Sequence, residues 1–452
     1  MNKETTYILH PSVYYSTIND KVALYYTART MLYTFNSFSK VIFDYFCEEK
    51  SIQSLLDHLE EKYEFDVANK DLVEELECFL NDLIQNKIIV QLGKASEYPG
   101  TLENDVSDEF ADSGKLFSAT IELTYRCNER CRHCYVYDEG GDELTTEQIK
   151  NVLDDLHDMG VLAILFTGGE VFVRDDIFEI LEYAYEKRFA VDIFTNGALL
   201  DGDKIIKLKA LWLKGIHFSV YSHIPEKHDA ITQVEGSFER TIKSLKACSL
   251  IGIPTKIKTP VFAETIDDVD GIISLARDAG ASISISNDIT PKKNGDTAPL
   301  SMRILSSPEH NDISGSIEEQ LGNLYKEPYR QKDSPRRMCS AGAKMISINP
   351  YGKVYPCGCF PLCIGDITKQ SIADIWNNSK QLNEWRKKNF ASNREECATC
   401  PHYNYCRFCP GEALMYTGKC TSKYPDACYV AEQKAKTYSK ISMEGGENDE
   451  GL

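Results

Sequence analysis

The chain has 452 residues, of which 42% are hydrophobic and 26% charged, and a formal net charge of −19. This length predicts several domains, because one hydrophobic core rarely serves so many residues. The negative charge argues against nucleic acid or an anionic membrane as a partner, and no apolar run is long enough to span a bilayer. The first residues, MNKETTYILHPSVYY, lack the apolar core of a signal peptide, so we expect a cytoplasmic protein.

Residues 1–92 have the pattern of a small α+β domain. Two apolar runs, VYYSTI and VALYYT, flank a turn at Asn19, Asp20 and Lys21, which predicts a β-hairpin. Three segments with helical periodicity follow, and a short strand, KIIVQL, closes the unit. Residues 93–117 are acidic and interrupted by glycine and proline, so we expect a mobile linker.

From residue 118 the pattern changes to strands that alternate with helices. The strand patterns are SATIELT, VLAILFT, AVDIFT, GIHFSVY, TKIKTPV and ASISIS. This alternation predicts a parallel α/β sheet or barrel over residues 118–335, with fewer units than an eightfold barrel. A cysteine-rich region follows at residues 336–435, and residues 436–452, which end in SMEGGENDEGL, are expected to be disordered.

The sixteen cysteines are the most unusual feature of the composition. In a reducing cytoplasm, metal or cluster ligation explains them better than disulfide bonds. Cys47, Cys78 and Cys248 lie in apolar helical patterns, so we expect buried thiols there. All other cysteines fall in two groups, at residues 127–134 and 339–428.

The first group lies in LTYRCNERCRHCY, where Cys127, Cys131 and Cys134 have the spacing C-x3-C-x2-C directly after the first α/β strand. Ligands gather at the carboxyl ends of strands in this architecture. Three cysteines on one loop leave the fourth corner of a [4Fe–4S] cluster open to a substrate or cofactor. A zinc site completed by His133 or by a distant residue is the alternative.

This motif resembles the signature of the radical S-adenosylmethionine (SAM) superfamily. The resemblance implies that the three cysteines hold a [4Fe–4S] cluster and that the amino and carboxylate groups of SAM chelate its open iron. Tyr135 matches the aromatic residue that the family often carries after the third cysteine.

Further motifs follow the next strands. FTGGEVF places Gly168, Gly169 and Glu170 after the second strand, and the resemblance implies that this segment binds the SAM amino group. FTNG places Asn196 at the end of the third strand, and FSVYS places Ser219 in the fourth. Both resemble positions that contact the ribose or carboxylate of SAM, and ordinary turn and strand residues are the alternative.

Two C-x2-C pairs in the C-terminal region are by themselves typical of a zinc ribbon. Beside the first motif, the region resembles the SPASM domain, which carries two auxiliary [4Fe–4S] clusters. The resemblance implies two interleaved ligand sets, Cys339, Cys357 and Cys409 for the first cluster, and Cys397, Cys400, Cys406 and Cys428 for the second. Cys420 competes with Cys428 for the last place.

The chain departs from the pattern of these relatives at two positions. No cysteine lies between Cys339 and Cys357, where some relatives place another ligand of the first auxiliary cluster. The segment CGCFPLC offers Cys359 and Cys363 as the fourth ligand instead, and Cys363 is the candidate that we assign. An iron left open for a substrate thiolate is the third alternative. Gly358 stands where sulfatase-maturing relatives carry an aspartate as general base, which argues against sulfatase maturation.

The resemblance extends over nearly the whole chain. It implies an α/β fold with a partial (β/α)6 TIM-like barrel, a winged-helix-like α+β domain at the N-terminus and a C-terminal SPASM domain. The N-terminal unit resembles the domain with which ribosomal peptide maturases bind a leader peptide by strand addition. A generic winged-helix-like interaction domain is the alternative.

The implied function is maturation of a ribosomally synthesised precursor peptide. A 5′-deoxyadenosyl radical would remove a carbon-bound hydrogen, and a cysteine sulfur would then form a thioether. A flavodoxin- or ferredoxin-like protein would donate the electron. Carbon–carbon or carbon–oxygen crosslinking, epimerisation and a zinc-binding peptide chaperone are the alternatives.

Overall fold

The computed structural model describes residues 3–18, 20–27, 31–91, 108–286, 289–303, 337–406 and 408–444. The N-terminal domain contains six strands and three helices. The strands are β1 (Thr6–Leu9), β2 (Val13–Ile18), β3 (Lys21–Tyr26), β4 (Met31–Asn36), β5 (Lys50–Ser51) and β6 (Ile89–Val90). The helices are α1 (Ser39–Tyr45), α2 (Ile52–Tyr63) and α3 (Lys70–Gln85).

The predicted hairpin is part of a three-stranded antiparallel sheet in which β3 pairs with β2 on one side and with β4 on the other. A second small sheet has β1 between β5 and β6. Neither β1 nor β4 is apparent from the sequence, since β1 is too short to show alternation and β4 runs directly into a helical pattern. Ser51 and Asn69 accept backbone N–H bonds at the starts of α2 and α3, which explains where these helices begin.

The central domain alternates strands and helices as the sequence predicts. Its strands are β7 (Ser118–Glu122), β8 (Ala163–Thr167), β9 (Ala190–Thr195), β10 (Gly215–Ser219), β11 (Thr255–Pro260) and β12 (Ser282–Ser286). Its helices are α4 (Asp108–Ser113), α5 (Thr146–Asp158), α6 (Ile177–Glu186), α7 (Gly202–Ala210), α8 (Pro225–Thr232), α9 (Ser237–Leu250) and α10 (Val269–Asp278). The six strands are parallel and adjacent in chain order, which is the predicted partial barrel.

The C-terminal domain is joined to this barrel through a shared sheet. Its elements are β13 (Met345–Ile348), β14 (Lys353–Tyr355), β15 (Gly365–Asp366), α11 (Ile372–Asn378), α12 (Lys380–Lys388), α13 (Pro410–Thr417) and α14 (Pro425–Glu444). Strand β13 pairs in parallel with β7, so a nine-stranded sheet crosses the expected domain boundary at residue 336. Short 3-10 helices lie at Val171–Val173, Ile266–Asp268, Ala298–Met302, Ala391–Asn393, Glu395–Cys397 and Tyr403–Tyr405.

Two segments expected to lack structure are partly helical. Within the expected linker, α4 buries Phe110 against Tyr25 of the N-terminal domain and Leu162 of the barrel, and residues 92–107 lie outside the described residues. Within the expected tail, α14 continues to Glu444, and residues 445–452 lie outside the described residues. The apolar side chain of Phe110 lets α4 pack against both domains, and the acidic composition of this segment does not predict that packing.

The three scattered cysteines differ in burial. Cys248 is buried in the core between the barrel sheet and its helices, as expected, and Cys47 is partly buried. Cys78 is exposed, because it lies on the outward face of α3. Among the described residues, no helix combines the length and the apolar character needed to cross a membrane.

Candidate functional site

The three cysteines of the C-x3-C-x2-C motif lie on the loop that follows β7, at the carboxyl end of the parallel strands. All three are partly buried. Burial raises the pKa of Cys127 to about 11, and the charges of Glu170, Glu129 and Cys134 add to the rise. Burial also raises the pKa of Cys131 and of Cys134. Since metal binding replaces thiol protons, a cation at this loop would relieve the mutual repulsion of the thiolates.

The cysteine loop is held in place by its own arginine and by the end of α8. Two of its backbone N–H groups donate to carbonyl oxygens of α8 at 3.0 Å each. The Arg130 guanidinium donates to the carbonyl oxygens of Cys127 and Glu129, both at 2.7 Å. These bonds fix the loop's backbone, so the protein itself determines where the three thiols stand.

The other two arginines of the motif pair with carboxylates at the surface. Arg126 lies 3.4 Å from Glu143, and Arg132 lies 2.8 Å from Glu264. Across the described part of the chain, no hydrogen bond from these three arginines to a thiol is found. We infer that the three arginines stabilise the loop and its surroundings and do not donate hydrogen bonds to the cysteines.

Gly168 and Gly169 bring the segment after β8 against the cysteine loop. Gly169 N donates to Thr124 O at 2.7 Å, and Glu170 N donates to Arg126 O at 3.0 Å. A Cβ atom on Gly168 would lie 2.2 Å from Thr124 O, and one on Gly169 would lie 2.3 Å from Arg126 O. Neither position accepts a side chain, so the two glycines couple this segment to the loop that carries the thiols.

Glu170 connects the loops after β8 and β9. Its carboxylate is 1% exposed and accepts hydrogen bonds from Phe172 N at 3.1 Å, Thr195 Oγ1 at 2.8 Å and Asn196 N at 2.7 Å. Burial raises its pKa, and these three bonds act in the opposite direction. The carboxylate thus positions neighbouring backbone, and its contact with the SAM amino group stays a prediction.

Asn196 and Ser219 both lie beside the cysteine loop, although they come from different strands. Asn196 Nδ2 is 4.0 Å from Cys127 Sγ. Ser219, at the end of β10, hydrogen-bonds to Tyr221, whose hydroxyl is 4.0 Å from Cys131 Sγ. The structure therefore brings together the polar residues that the strand ends predict.

Glu129 is a buried residue of this site that the sequence does not reveal. Its side chain is 4% exposed, and Cys131 Sγ donates to its Oε2 at 3.5 Å. Burial raises the pKa of Glu129 to about 7. A charged residue between two motif cysteines is the only signal in the sequence, and such a residue is usually solvated. His133, the proposed zinc ligand, packs against the rings of Tyr221 and Phe262.

A second group of thiols surrounds the β13–β14 hairpin and its neighbours. Its members are Cys339, Cys357, Cys359 and Cys409. Burial raises the pKa of Cys357 well above its usual value, and the charges of the other three thiols add to this rise. Cys363 is exposed, and its thiol donates to Gly365 O at 3.4 Å. The structure thus brings Cys359 into the group in place of Cys363, because the loop turns Cys363 outward.

A third group of thiols lies in the 3-10 turns before α13 and at the start of α14. Its members are Cys397, Cys400, Cys406 and Cys428. Burial and the charges of the other three raise the pKa of Cys428. Cys420 packs instead against the large hydrophobic core that the barrel shares with the C-terminal domain, and the charge of Lys388 acts on it, so it stands apart from this group. The buried guanidinium of Arg394 donates to Cys397 Sγ at 3.1 Å and to Cys406 Sγ at 3.7 Å.

The chemistry of these groups fits iron–sulfur clusters. Thiolate is the ligand that such clusters use, and each group supplies three or four thiols from one part of the fold. Within the described ranges, no three His, Cys, Asp or Glu side chains converge as the ligands of a single ion would. Ligands of a cubane bind different irons and therefore stand farther apart. The residues present thus fit the clusters that the motifs imply.

Two family models match the chain. The radical SAM superfamily model matches residues 121–276, which contain the cysteine loop and the Gly168–Glu170 segment. The SPASM model, described as an iron–sulfur cluster-binding domain, matches residues 339–401.

The chain is also similar to individual proteins. It is 32% identical over 343 residues to the antilisterial bacteriocin subtilosin biosynthesis protein AlbA of Bacillus subtilis, which covers 73% of this chain and 74% of that protein. It is 24% identical over 338 residues to an AdoMet-dependent heme synthase of Methanosarcina barkeri, covering 69% of this chain and 96% of that one.

Among solved structures, Streptococcus suis SuiB bound to its precursor peptide SuiA has the same fold, with a TM-score of 0.59 and 12% identity. This match covers 93% of the present chain and 99% of SuiB, so it extends over all three domains. The chain therefore belongs to the radical SAM superfamily and is an enzyme that uses SAM, a SAM-binding [4Fe–4S] cluster and the auxiliary iron–sulfur clusters of a SPASM domain.

Proposed function

We propose that this enzyme matures a ribosomally synthesised peptide by joining a cysteine sulfur to a carbon atom in a thioether. The observation that carries the proposal is the 32% identity over 343 residues to a protein named for the biosynthesis of the bacteriocin subtilosin. The shared fold with an enzyme solved together with its precursor peptide adds support for a peptide substrate. The N-terminal α+β domain would bind the leader of that peptide.

The ligand sets follow from the three groups of thiols. Cys127, Cys131 and Cys134 would hold the SAM-binding cluster. Cys339, Cys357, Cys359 and Cys409 would hold the first auxiliary cluster, and Cys397, Cys400, Cys406 and Cys428 the second. Proximity of the thiols supports Cys359 over Cys363 and Cys428 over Cys420. Four thiols on the first auxiliary cluster would leave no iron open for a substrate thiolate.

A cluster held by Cys127, Cys131 and Cys134 would supply the electron for reductive cleavage of SAM to methionine and the 5′-deoxyadenosyl radical. The chain's own residues orient and protect this reaction. The Gly168–Glu170 segment and Asn196 border the cysteine loop and would position SAM. The barrel wall keeps water and stray hydrogen donors from a radical that attacks most C–H bonds.

The electron donor would be a flavodoxin- or ferredoxin-like protein that docks near the second auxiliary group. Cys428 is exposed, so this group of thiols reaches the surface. The positive charge of Lys423 acts on the Cys428 thiol, and the backbone N–H of Lys423 donates to Glu396 Oε2 at 3.3 Å, so charges of both signs lie here. An electron carrier that docks at this position would have to complement such a mixed surface.

The test is anaerobic co-expression with the short peptide encoded beside this gene, followed by mass spectrometry. We expect a peptide that has lost two hydrogen atoms and has one cysteine that can no longer be alkylated. Cys131→Ala is the matched inactive control, because it removes a ligand of the SAM-binding cluster and abolishes deoxyadenosine formation.

Other outcomes would contradict thioether formation in distinct ways. Loss of two hydrogens with every thiol still reactive would indicate a carbon-based crosslink. An unchanged mass that gains one deuterium in heavy water would indicate epimerisation. Deoxyadenosine production by Cys131→Ala would overturn the assignment of the cysteine loop.

A further inference from the structure

A buried cluster of polar side chains lies between the cysteine loop and the first auxiliary group, and SAM binding does not account for it. Glu122 ends strand β7 and is 2% exposed. Its Oε2 accepts hydrogen bonds from Tyr125 Oη at 2.7 Å and from Lys293 Nζ at 3.3 Å. Lys293 is itself largely buried and lies 4.6 Å from the centre of the Tyr355 ring. Burying a charged pair is costly unless good geometry and further hydrogen bonds offset the lost hydration.

The other oxygen of this carboxylate borders a gap at Gly358. Apart from Cys357 and Cys359 next to it in the chain, the described heavy atoms within 4 Å of a Cβ atom placed on Gly358 would be Glu122 Oε1 at 3.8 Å and Ser347 Oγ at 4.0 Å. Ser347 is 0% exposed, and its hydroxyl has no hydrogen-bond partner among the described residues. A carboxylate oxygen and an unpartnered buried hydroxyl therefore face one opening beside Cys357 and Cys359.

The opening is near both the cysteine loop and the first auxiliary group. Glu122 lies close enough to act electrostatically on Tyr135, which follows the cysteine loop, and on Cys359 of the first auxiliary group. A peptide side chain held here would lie between the site of radical formation and a thiol group that would accept an electron through its cluster. The polar atoms at the opening suit a hydrogen-bonding group on that peptide.

We propose that Glu122 is the catalytic base that takes the thiol proton of the peptide cysteine when the carbon–sulfur bond forms, and that Ser347 positions this cysteine. The inference rests on the thioether function proposed above. The deoxyadenosyl radical takes one hydrogen atom from carbon, the S–H bond breaks as the C–S bond forms, Glu122 keeps the proton, and one electron passes to an auxiliary cluster.

Lys293 fixes the orientation of the Glu122 carboxylate. Its ammonium donates to Oε2, while Oε1 faces Gly358. If four protein thiols ligate the first auxiliary cluster, no open iron would activate the substrate thiol, which leaves this role to a protein base. Glu122 is the described carboxylate that borders the opening at Gly358.

The test compares Glu122→Gln with the wild type and with Glu182→Gln, an exposed carboxylate on α6 that serves as the matched control. Iron content, deoxyadenosine formation and crosslinked peptide are measured for each. We expect Glu122→Gln to hold its iron and to cleave SAM normally, and to yield roughly 100-fold less crosslink per deoxyadenosine, since general-base catalysis commonly contributes that much. Glu122→Asp keeps a carboxylate and should recover part of the loss.

Each other outcome has a defined meaning. An unchanged crosslink yield per deoxyadenosine in Glu122→Gln overturns the role of Glu122 and leaves thioether formation intact. A folded, iron-loaded Glu122→Gln that no longer cleaves SAM also overturns it, because the residue would then support the cysteine loop. If Glu122→Gln does not fold, the same ratio is measured for Ser347→Ala, and a wild-type ratio overturns the proposed placement of the peptide cysteine beside Glu122 and Ser347. A wild type that forms no thioether overturns the proposed function itself.

Discussion

Arg394 is the residue whose surroundings differ most from those expected of a charged side chain. It is 5% exposed, its guanidinium centre lies 3.8 Å from the centre of the Phe408 ring, and it donates to two thiols of the second auxiliary group. Positive charge and N–H bonds to cluster ligands stabilise the more negative, reduced form of a cluster. We therefore expect the buried arginine to raise the reduction potential of a cluster held by these thiols.

We expect Arg394→Met to lower the reduction potential of the second auxiliary cluster by about 60 mV, which for one electron corresponds to about 1.4 kcal/mol. A redox titration followed by electron paramagnetic resonance, in a Cys131→Ala background, measures this potential. Lys380→Met removes the same charge from an exposed helix end and should leave the potential unchanged. Equal potentials in the two variants would show that Arg394 serves packing alone.

The pair Cys359 and Cys363 gives a second test at single positions. The two residues are four apart in the chain, yet one thiol lies with the first auxiliary group and the other is exposed. Cys359→Ala should lose about four irons per chain, as expected when a cluster is lost. Cys363→Ala should retain the full iron content, and the reverse result would restore Cys363 as the ligand.

A partly buried charged cluster lies at strands β9 and β10, formed by Asp192, Lys214 and His217. Val191 and Ile193 belong to the core beneath the helices, so Asp192 points into the barrel. Lys214 Nζ lies 2.6 Å and His217 Nε2 lies 3.0 Å from its carboxylate oxygens. Burial alone would raise the pKa of Asp192, and these two partners outweigh it and hold the pKa well below its usual value.

A carboxyl group with a lowered pKa in the fold stabilises the protein above its unfolded pKa of about 4, and this contribution is lost as the pH falls below that value. We expect Asp192→Asn to lower the free energy of unfolding at pH 7 by about 1–3 kcal/mol. The variant should also lose less stability than the wild type between about pH 4 and pH 2. Denaturant titrations over this range measure both effects, with exposed Asp158→Asn as control.

The same elements show what the sequence can and cannot predict. Strands β7–β12 and the loop of Cys127 follow from local alternation and spacing, so they are readable without a structure. The parallel pairing of β13 with β7 joins residues more than two hundred positions apart, and no local pattern encodes it. That pairing, together with the loops beside it, determines where Cys359, Ser347 and Glu122 lie.

At the scale of the whole molecule, the N-terminal domain contacts the barrel through β2. Tyr14 Oη donates to Trp212 O at 3.4 Å, and a Cβ atom on Gly160 would lie 2.2 Å from Ser16 Oγ. Strand β4 is at the opposite edge of the same sheet and, among the described strands, pairs only with β3. A leader peptide that adds a strand would therefore find β4 as the edge away from the barrel.

Hydrogen exchange with mass spectrometry tests this placement of the leader. We expect the amides of β4 to exchange at least about tenfold more slowly with the leader peptide present, because new strand pairing protects backbone N–H groups. A scrambled leader of the same composition is the control. Protection confined to other parts of the N-terminal domain would place the peptide elsewhere.

The sheet shared by β7 and β13 has a consequence for electron transfer. The loop with Cys127 leaves the end of β7, and the segment with Cys357 and Cys359 follows the hairpin that begins with β13. Hydrogen bonds between the neighbouring strands keep the separation of these two loops nearly constant, whereas a flexible linker would let it vary. Because tunnelling rates fall steeply with distance, an electron that passes between groups held on these two loops would cross a nearly constant distance in every catalytic cycle.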